Sequence, residues 1–140
     1  MAKYDAYGTE LYRGTSGAGT AIAQVKSISG PSLSADTEDV TSHDSVNAWE
    51  EVVVTILRSG EVTLDIVYDP ADATHKDAAN GLLNDLQGRA STTYTLVFPD
   101  AASTEWSFSA YVTAFEPDAP VDGALTASVT LKATGDMTIA

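Results

Sequence analysis

The chain has 140 residues and a formal net charge of −13, set by 20 acidic against 7 basic residues, and it contains no cysteine. The missing thiols exclude disulfides, thiolate zinc sites and iron–sulfur clusters, and the acidic excess argues against a nucleic-acid binder that works by displacing counterions from phosphates. One domain is expected over 1–140, burying roughly 68% of the surface of its unfolded chain.

In chain order, residues 1–19 set Gly8, Gly14, Gly17 and Gly19 among Tyr4, Tyr7, Leu11 and Tyr12 with no sustained period, and read as an extended N-terminal arm. Met1-Ala-Lys-Tyr-Asp has no signal-peptide core behind it, so synthesis in a cytoplasm is expected. A strand region around Asp36–Thr41 leads into a long inter-strand loop over 41–52. Val52-Val53-Val54-Thr55-Ile56 then reads as a strand, with Ser59-Gly60 as the turn into a second one. In that second strand, Val62, Leu64, Ile66 and Tyr68 alternate with Glu61, Thr63, Asp65 and Asp69, the two-residue period of a half-buried strand. Apolar runs such as Val52–Val54 fall far short of the 18 or more residues a membrane-spanning helix requires, and no membrane insertion is expected.

One helix is predicted over about 75–87. Thr74 caps it with Asp77 as a capping-box partner, Ala79, Leu82, Leu83 and Leu86 fall at the 3.6-residue period, and Gly88 ends it. Gly81 inside this helix costs about 1 kcal/mol relative to alanine, so the leucine stripe must pack against a sheet. Three later stretches alternate again: Tyr94, Leu96 and Phe98; Trp106, Phe108, Ala110, Val112 and Ala114; Leu125, Ala127, Val129 and Leu131. The fold class is mainly β, an antiparallel β-sandwich or open barrel with one flanking α-helix.

Several polar clusters carry residue types that could do chemistry. "DVTSHDS", Asp39 to Ser45, holds Ser42, His43 and Asp44 in succession, but neighbours on a strand point to opposite faces and no G-x-S-x-G elbow accompanies them. His43 and His75 are the only imidazoles, too few for a histidine metal centre, and His75 reads as a solvated or capping side chain. Glu38-Asp39 and Glu50-Glu51 read as solvated surface, and Gly14-Thr-Ser-Gly17-Ala-Gly19 lacks the lysine of a phosphate loop. Neither an enzyme nor a cofactor or metal is expected.

Four ordered segments carry a resemblance: "GTAIAQVKSISGPSLSADTEDVTSHDS" (Gly19–Ser45), "GEVTLDIVYDPADATH" (Gly60–His75), "TLVFPD" (Thr95–Asp100) and "FSAYVTAFEPDAPVDGALTASVTLKATG" (Phe108–Gly135). Together they resemble the major tail tube protein of long, non-contractile phage tails, on the lambda-like branch that includes gene transfer agent tubes. The resemblance spans about residues 8 to 136. It implies six-membered rings of this chain stacked around a tape-measure protein, ended by tail terminator and distal tail proteins, with a lumen that passes DNA without binding it. The implied location is the virion tail, with host cytoplasm before assembly.

The resemblance also places the 41–52 loop among the segments that contact neighbouring subunits and rings. His43, Asp44, Ser45, Glu50 and Glu51 then serve as turn formers and polar contacts and Trp49 as an apolar anchor, together with Tyr7 and Tyr12 of the arm. Arg58, Arg89 and Lys132 are candidate cross-subunit partners, and Glu61 and Asp65 are candidates for the lumen, the alternative being an outward-facing surface. Two departures stand out: Val54–Ser59 is more apolar than the glycine-containing turn of many relatives, and the immunoglobulin-like domain that some relatives append is not expected after Ala140. Two other readings fit the sequence: a monomeric β-sandwich binding or decoration module of a virion or cell surface, and a tail terminator or distal tail ring protein.

Overall fold

The computed structural model describes residues 3–14, 19–77 and 81–139. The elements in order are β1 (Glu10–Arg13), β2 (Thr20–Ala21), β3 (Val25–Ser29), β4 (Ser34–Asp39), β5 (Val52–Arg58), β6 (Glu61–Val67), α1 (Leu82–Gly88), β7 (Thr92–Val97), β8 (Glu105–Asp118) and β9 (Thr126–Ile139). Seven strands form one antiparallel sheet in the order β2-β1-β7-β8-β9-β6-β3, curled into a half-barrel, with α1 packed on β8. Strands β4 and β5 stand apart as a two-stranded ribbon.

The two-residue period dictates which face of the large sheet is dry. Val62, Leu64 and Ile66 of β6, Ala127, Val129 and Leu131 of β9, Phe108, Ala110 and Val112 of β8, and Tyr94 and Leu96 of β7 all turn to the core, joined by Leu11 and Leu82. Each fully buried aliphatic side chain contributes about 1.5–3 kcal/mol. The expected inward position of Ala114 is corrected: a register shift between Val112 and Ala114 advances the phase of β8, so Ala114 is exposed. Phe115 takes the inward place, edge-on to Tyr68 at a ring separation of 5.1 Å.

Three further expectations change. The strand at 52–56 exists, but it pairs with β4 rather than β6, so Ser59-Gly60 joins two different sheets and is not a hairpin turn. Within the expected N-terminal arm, Glu10–Arg13 is a sheet strand paired with β7, and Leu11 is fully buried. The helix is shorter than 75–87. Gly81 is its N-cap, where a Cβ would run into the Lys76 carbonyl oxygen, so the glycine is required there and carries no interior penalty. Ala79 lies outside the described residues.

Residues 69–77 are held in turns by their own side chains instead. Asp72 accepts the Thr74 N–H at 2.8 Å and the Thr74 hydroxyl at 2.6 Å, which holds its carboxyl below the usual range, and the Thr74 carbonyl accepts the Leu82 N–H. His75 is fully buried rather than solvated: Nε2–H donates to the Ala23 carbonyl at 2.6 Å and Nδ1 accepts the Asp69 N–H at 3.3 Å. Both ring nitrogens are thereby satisfied, and the ring ties this segment to the β2–β3 connection.

One polar cluster locks helix to sheet. Arg13 of β1 grips the buried Asp85 of α1 through Nε and Nη2, both at 2.8 Å, and the Tyr94 hydroxyl of β7 donates to the same carboxylate at 2.6 Å. Burial, and then the Asp85 carboxylate, push the Tyr94 hydroxyl far up from its ordinary value, so it stays a donor. Truncating Arg13 to alanine leaves a buried carboxylate without its cation. Arg13→Ala should cost about 3 kcal/mol or more in urea unfolding, whereas Arg58→Ala at an exposed pair should barely move the midpoint.

Candidate assembly surface

The β4–β5 ribbon has no core of its own. Every residue of β5 is exposed, including Val52, Val53, Val54, Ile56 and Leu57, the last at 80%. Apolar, β-branched residues favour the extended chain, yet here they face water on both sides of a hairpin whose strands pack chiefly on each other. An isolated two-stranded hairpin is marginal in water, and contiguous exposed apolar surface marks an interaction site. Among the described residues, backbone groups on the outer edges of the ribbon and on β3 also have no neighbouring strand.

The root of the ribbon is tightly built. Gly30 and Gly60 both have positive φ, +93° and +71°, and a Cβ on either would strike backbone, the Glu61 carbonyl oxygen in one case and that of Ser32 in the other. The Ala133 N–H donates to the Gly60 carbonyl and the Ser59 hydroxyl to that of Gly135, which pins the exit of the ribbon to β9. Further out, Arg58 reaches Asp36 across the ribbon with Nη2 to Oδ2 at 2.7 Å and Nε to Oδ2 at 3.0 Å. The guanidinium holds the Asp36 carboxyl below the usual carboxylate range. Arg58, a candidate cross-subunit partner, thus closes an ion pair within its own hairpin.

At the far end, the connection 40–51 is tied to itself. The Val40 N–H donates to the Glu51 carbonyl, the Glu51 N–H to the Thr41 hydroxyl, and the Ser45 hydroxyl to the Glu51 carboxylate at 3.1 Å while accepting the Ser42 N–H. Ser45 is therefore the buried pivot of the loop. His43 and Asp44 are exposed, and neither Ser42 nor Ser45 bonds to His43 among the described residues, so no nucleophile–base pair forms. Among the described residues no three His, Cys, Asp or Glu side chains converge on a metal position.

The loop then turns through Asn47 and Ala48, both left-handed at φ of 55° and 61°. Left-handed alanine costs on the order of 1 kcal/mol. The turn projects Val46 and Trp49 into solvent, at 70% and 73% exposure, with Glu50 and Glu51 exposed beside them.

The remaining candidates lie on the body. Tyr7 is almost wholly exposed on the N-terminal segment, and Tyr12 is half-buried on β1, where the Glu10 carboxylate pushes its hydroxyl up. Glu61 and Asp65 occupy the face of β6 opposite the core, as the alternation requires. Their register neighbours are Lys132 and Ser128 of β9, and Asp65 accepts the Ser27 hydroxyl at 3.0 Å. Thr63, Thr130 and Ser109 share this outer face, which is rich in hydroxyls, and Lys26 lies beside Asp65.

The model of the lambda phage tail tube protein family matches residues 3–140. No curated protein sequence matches the chain. Among solved structures, a chain in the virion of a native gene transfer agent particle superposes with a TM-score of 0.78 at 14% identity, covering 99% of each chain. A chain in the tail of the empty gene transfer agent particle, with C6 symmetry, gives 0.76 at 14% identity over 99% of each. The SPP1 tail tube gives 0.65 at 12% identity, covering 93% of this chain and 74% of the other.

The root glycines yield a test of the ribbon's attachment. Gly60→Ala forces a left-handed alanine into contact with the Ser32 backbone, so thermal unfolding should show a loss of about 1–3 kcal/mol. Gly88→Ala, where a Cβ meets nothing and φ is not positive, should be neutral or slightly stabilising.

Proposed function

The chain belongs to the lambda phage tail tube protein family, its role is that of a structural tail tube protein, and we propose that it builds six-membered rings that stack into a hollow tube conducting DNA. The observation that carries this reading is the β4–β5 ribbon, an apolar element that only another copy or a partner can cover. The unpaired edges of the ribbon and of β3 supply the backbone donors and acceptors for strand pairing between subunits, and closure of strands into a cylinder removes such edges. The C6 symmetry of the gene transfer agent tail supports the ring number.

In this reading the partners are other copies of the chain, a tape-measure protein along the bore, and terminator and distal proteins at the two ends. The protein resides in the virion tail and in host cytoplasm before assembly, and it neither inserts into membranes nor catalyses a reaction. The loop residues His43, Asp44, Ser45, Trp49, Glu50 and Glu51, with Tyr7 and Tyr12, meet neighbouring subunits. Arg58 acts by fixing the ribbon that carries the loop.

We assign the hydroxyl-rich outer face bearing Glu61 and Asp65 to the bore. A six-membered ring multiplies the formal charge of −13 sixfold, so a bore with this face repels DNA and lets it slide. The same repulsion opposes assembly, and salt screens it over a Debye length that falls from about 10 Å at 0.1 M to about 3 Å at 1 M.

Purified protein viewed by negative-stain microscopy should form rings or hollow cylinders, in a yield that rises with moderate salt. A protein that stays monomeric at every salt concentration would contradict the tube reading, and a yield that falls with salt would contradict the electrostatic account. In assembled tails, Glu61→Lys with Asp65→Lys should slow DNA ejection; unchanged ejection from well-formed tails would remove this face from the bore.

A further inference from the structure

Residue 23 sits where the two ends of the large sheet are joined. Strands β2 and β3 are the outer edges of that sheet, and only Ile22, Ala23 and Gln24 separate them in the chain. On one side of this corner the Ile22 N–H donates to the Leu11 carbonyl of β1, and on the other the Gln24 carbonyl accepts the Val67 N–H of β6. The corner is therefore a seam that holds the curl of the half-barrel.

At the seam, both backbone groups of Ala23 are held by side chains of the 69–77 turns. Its N–H donates to the Thr74 hydroxyl oxygen at 3.1 Å, that hydroxyl donates onward to Asp72 at 2.6 Å, and its carbonyl accepts Nε2–H of His75 at 2.6 Å. The partners fix the tautomer of the ring. The Ala23 carbonyl can only accept and the Asp69 N–H can only donate, so the proton belongs on Nε2 and Nδ1 must stay bare.

That requirement makes the seam sensitive to acid. A proton on Nδ1 would point at the Asp69 N–H, donor against donor, in a ring with no exposed surface to turn toward water. The Asp72 carboxylate attracts a proton to the ring, but its Oδ1 already accepts both Thr74 donors. Asp69 turns its carboxylate to the Ala71 N–H, Lys76 is exposed, and Asp85 of α1 is paired with Arg13. Tyr68, at the end of β6, presents its ring at 6.2 Å; the corner itself is uncharged, Lys26 of β3 is exposed, and Glu61 and Asp65 of β6 face away from the core.

We propose that His75 is a proton-sensitive clasp on this seam: neutral, it holds Ala23 and fixes the curl of the half-barrel; protonated, it releases residues 22–24 and loosens the two edge strands. The open state binds one proton more than the closed state, so the clasp is secure at neutral pH and weakens as pH falls. Imidazole is the side chain whose ordinary charge change lies in that range.

The sequence holds only two histidines, and His43 is exposed on the ribbon loop, so the effect can be isolated. Amide hydrogen exchange, corrected for the intrinsic effect of pH on exchange, reads the seam through the Asp69 and Val67 amides. Protection of both should fall about tenfold between about pH 7.5 and 5.5, while that of Val129 in the central strand β9 holds. Nitrogen NMR of the His75 ring should report protonation over the same range. His43→Ala should leave the fall unchanged, and His75→Gln, which offers a donor and an acceptor but no titrating group, should abolish it.

Level protection at Asp69 and Val67 across this range in the wild-type chain, or a ring that gains its proton with both hydrogen bonds intact, would overturn the clasp. A fall that survives in His75→Gln or disappears in His43→Ala would overturn it equally. Should His75→Gln fail to fold, the wild-type exchange and ring measurements decide the matter by themselves.

Discussion

A pair of strands cannot dry itself. The large sheet buries one face under its own curl and α1, and the Arg13–Asp85–Tyr94 cluster satisfies the carboxylate buried where helix meets sheet. The β4–β5 ribbon instead presents apolar residues to water on both faces. The protein is thus divided into a body with a closed core and an exposed apolar appendage, an arrangement in keeping with the structural role of the tail tube family. A body that did not close its own core would give the ribbon nothing rigid to stand on.

The charge distribution adds a second constraint. An excess of thirteen acids opposes any gathering of copies, while the apolar ribbon favours it through short-range contact. Long-range repulsion and short-range burial of this kind disfavour contacts that leave the apolar surfaces only partly covered. Of the seven cations, Arg13 pairs with the helix, Arg58 pairs across the ribbon, and Lys132 lies opposite Glu61 in register.

Where one face of a strand is buried, the sequence is easy to read. β6, β7, β8 and β9 announce themselves by alternation, and the acids Glu61 and Asp65 fall on the wet face as the period demands. The ribbon is legible as a strand but not as a ribbon: Val52–Leu57 has no polar alternation because neither face meets a core, and nothing local distinguishes pairing with β4 from pairing with β6. Gly60 looks like a turn residue, although it is there for its close approach to Ser32. The 3.6-residue pattern extends the helix too far toward its N-terminus because Asp69, Asp72 and Thr74 divert the backbone with local hydrogen bonds, a competition that periodicity does not register. His75, and the Arg13–Asp85 pair joined across 72 residues of sequence, depend on tertiary placement that no short motif carries.

The two glycines at the root set a lever. The ribbon they carry is about 20 Å long, so a tilt of about five degrees at Gly30 and Gly60 displaces the tip by roughly 2 Å, enough to lose a side-chain contact altogether. In any closed ring, such an error recurs at every subunit and accumulates around the circumference until the last copy fails to meet the first. The crowded backbone at Glu61 and Ser32 holds that angle, since neither glycine position has room for a side chain. Because Gly30 packs against Val62 of the core as well as Glu61, the angle of the ribbon is set by the body that carries it.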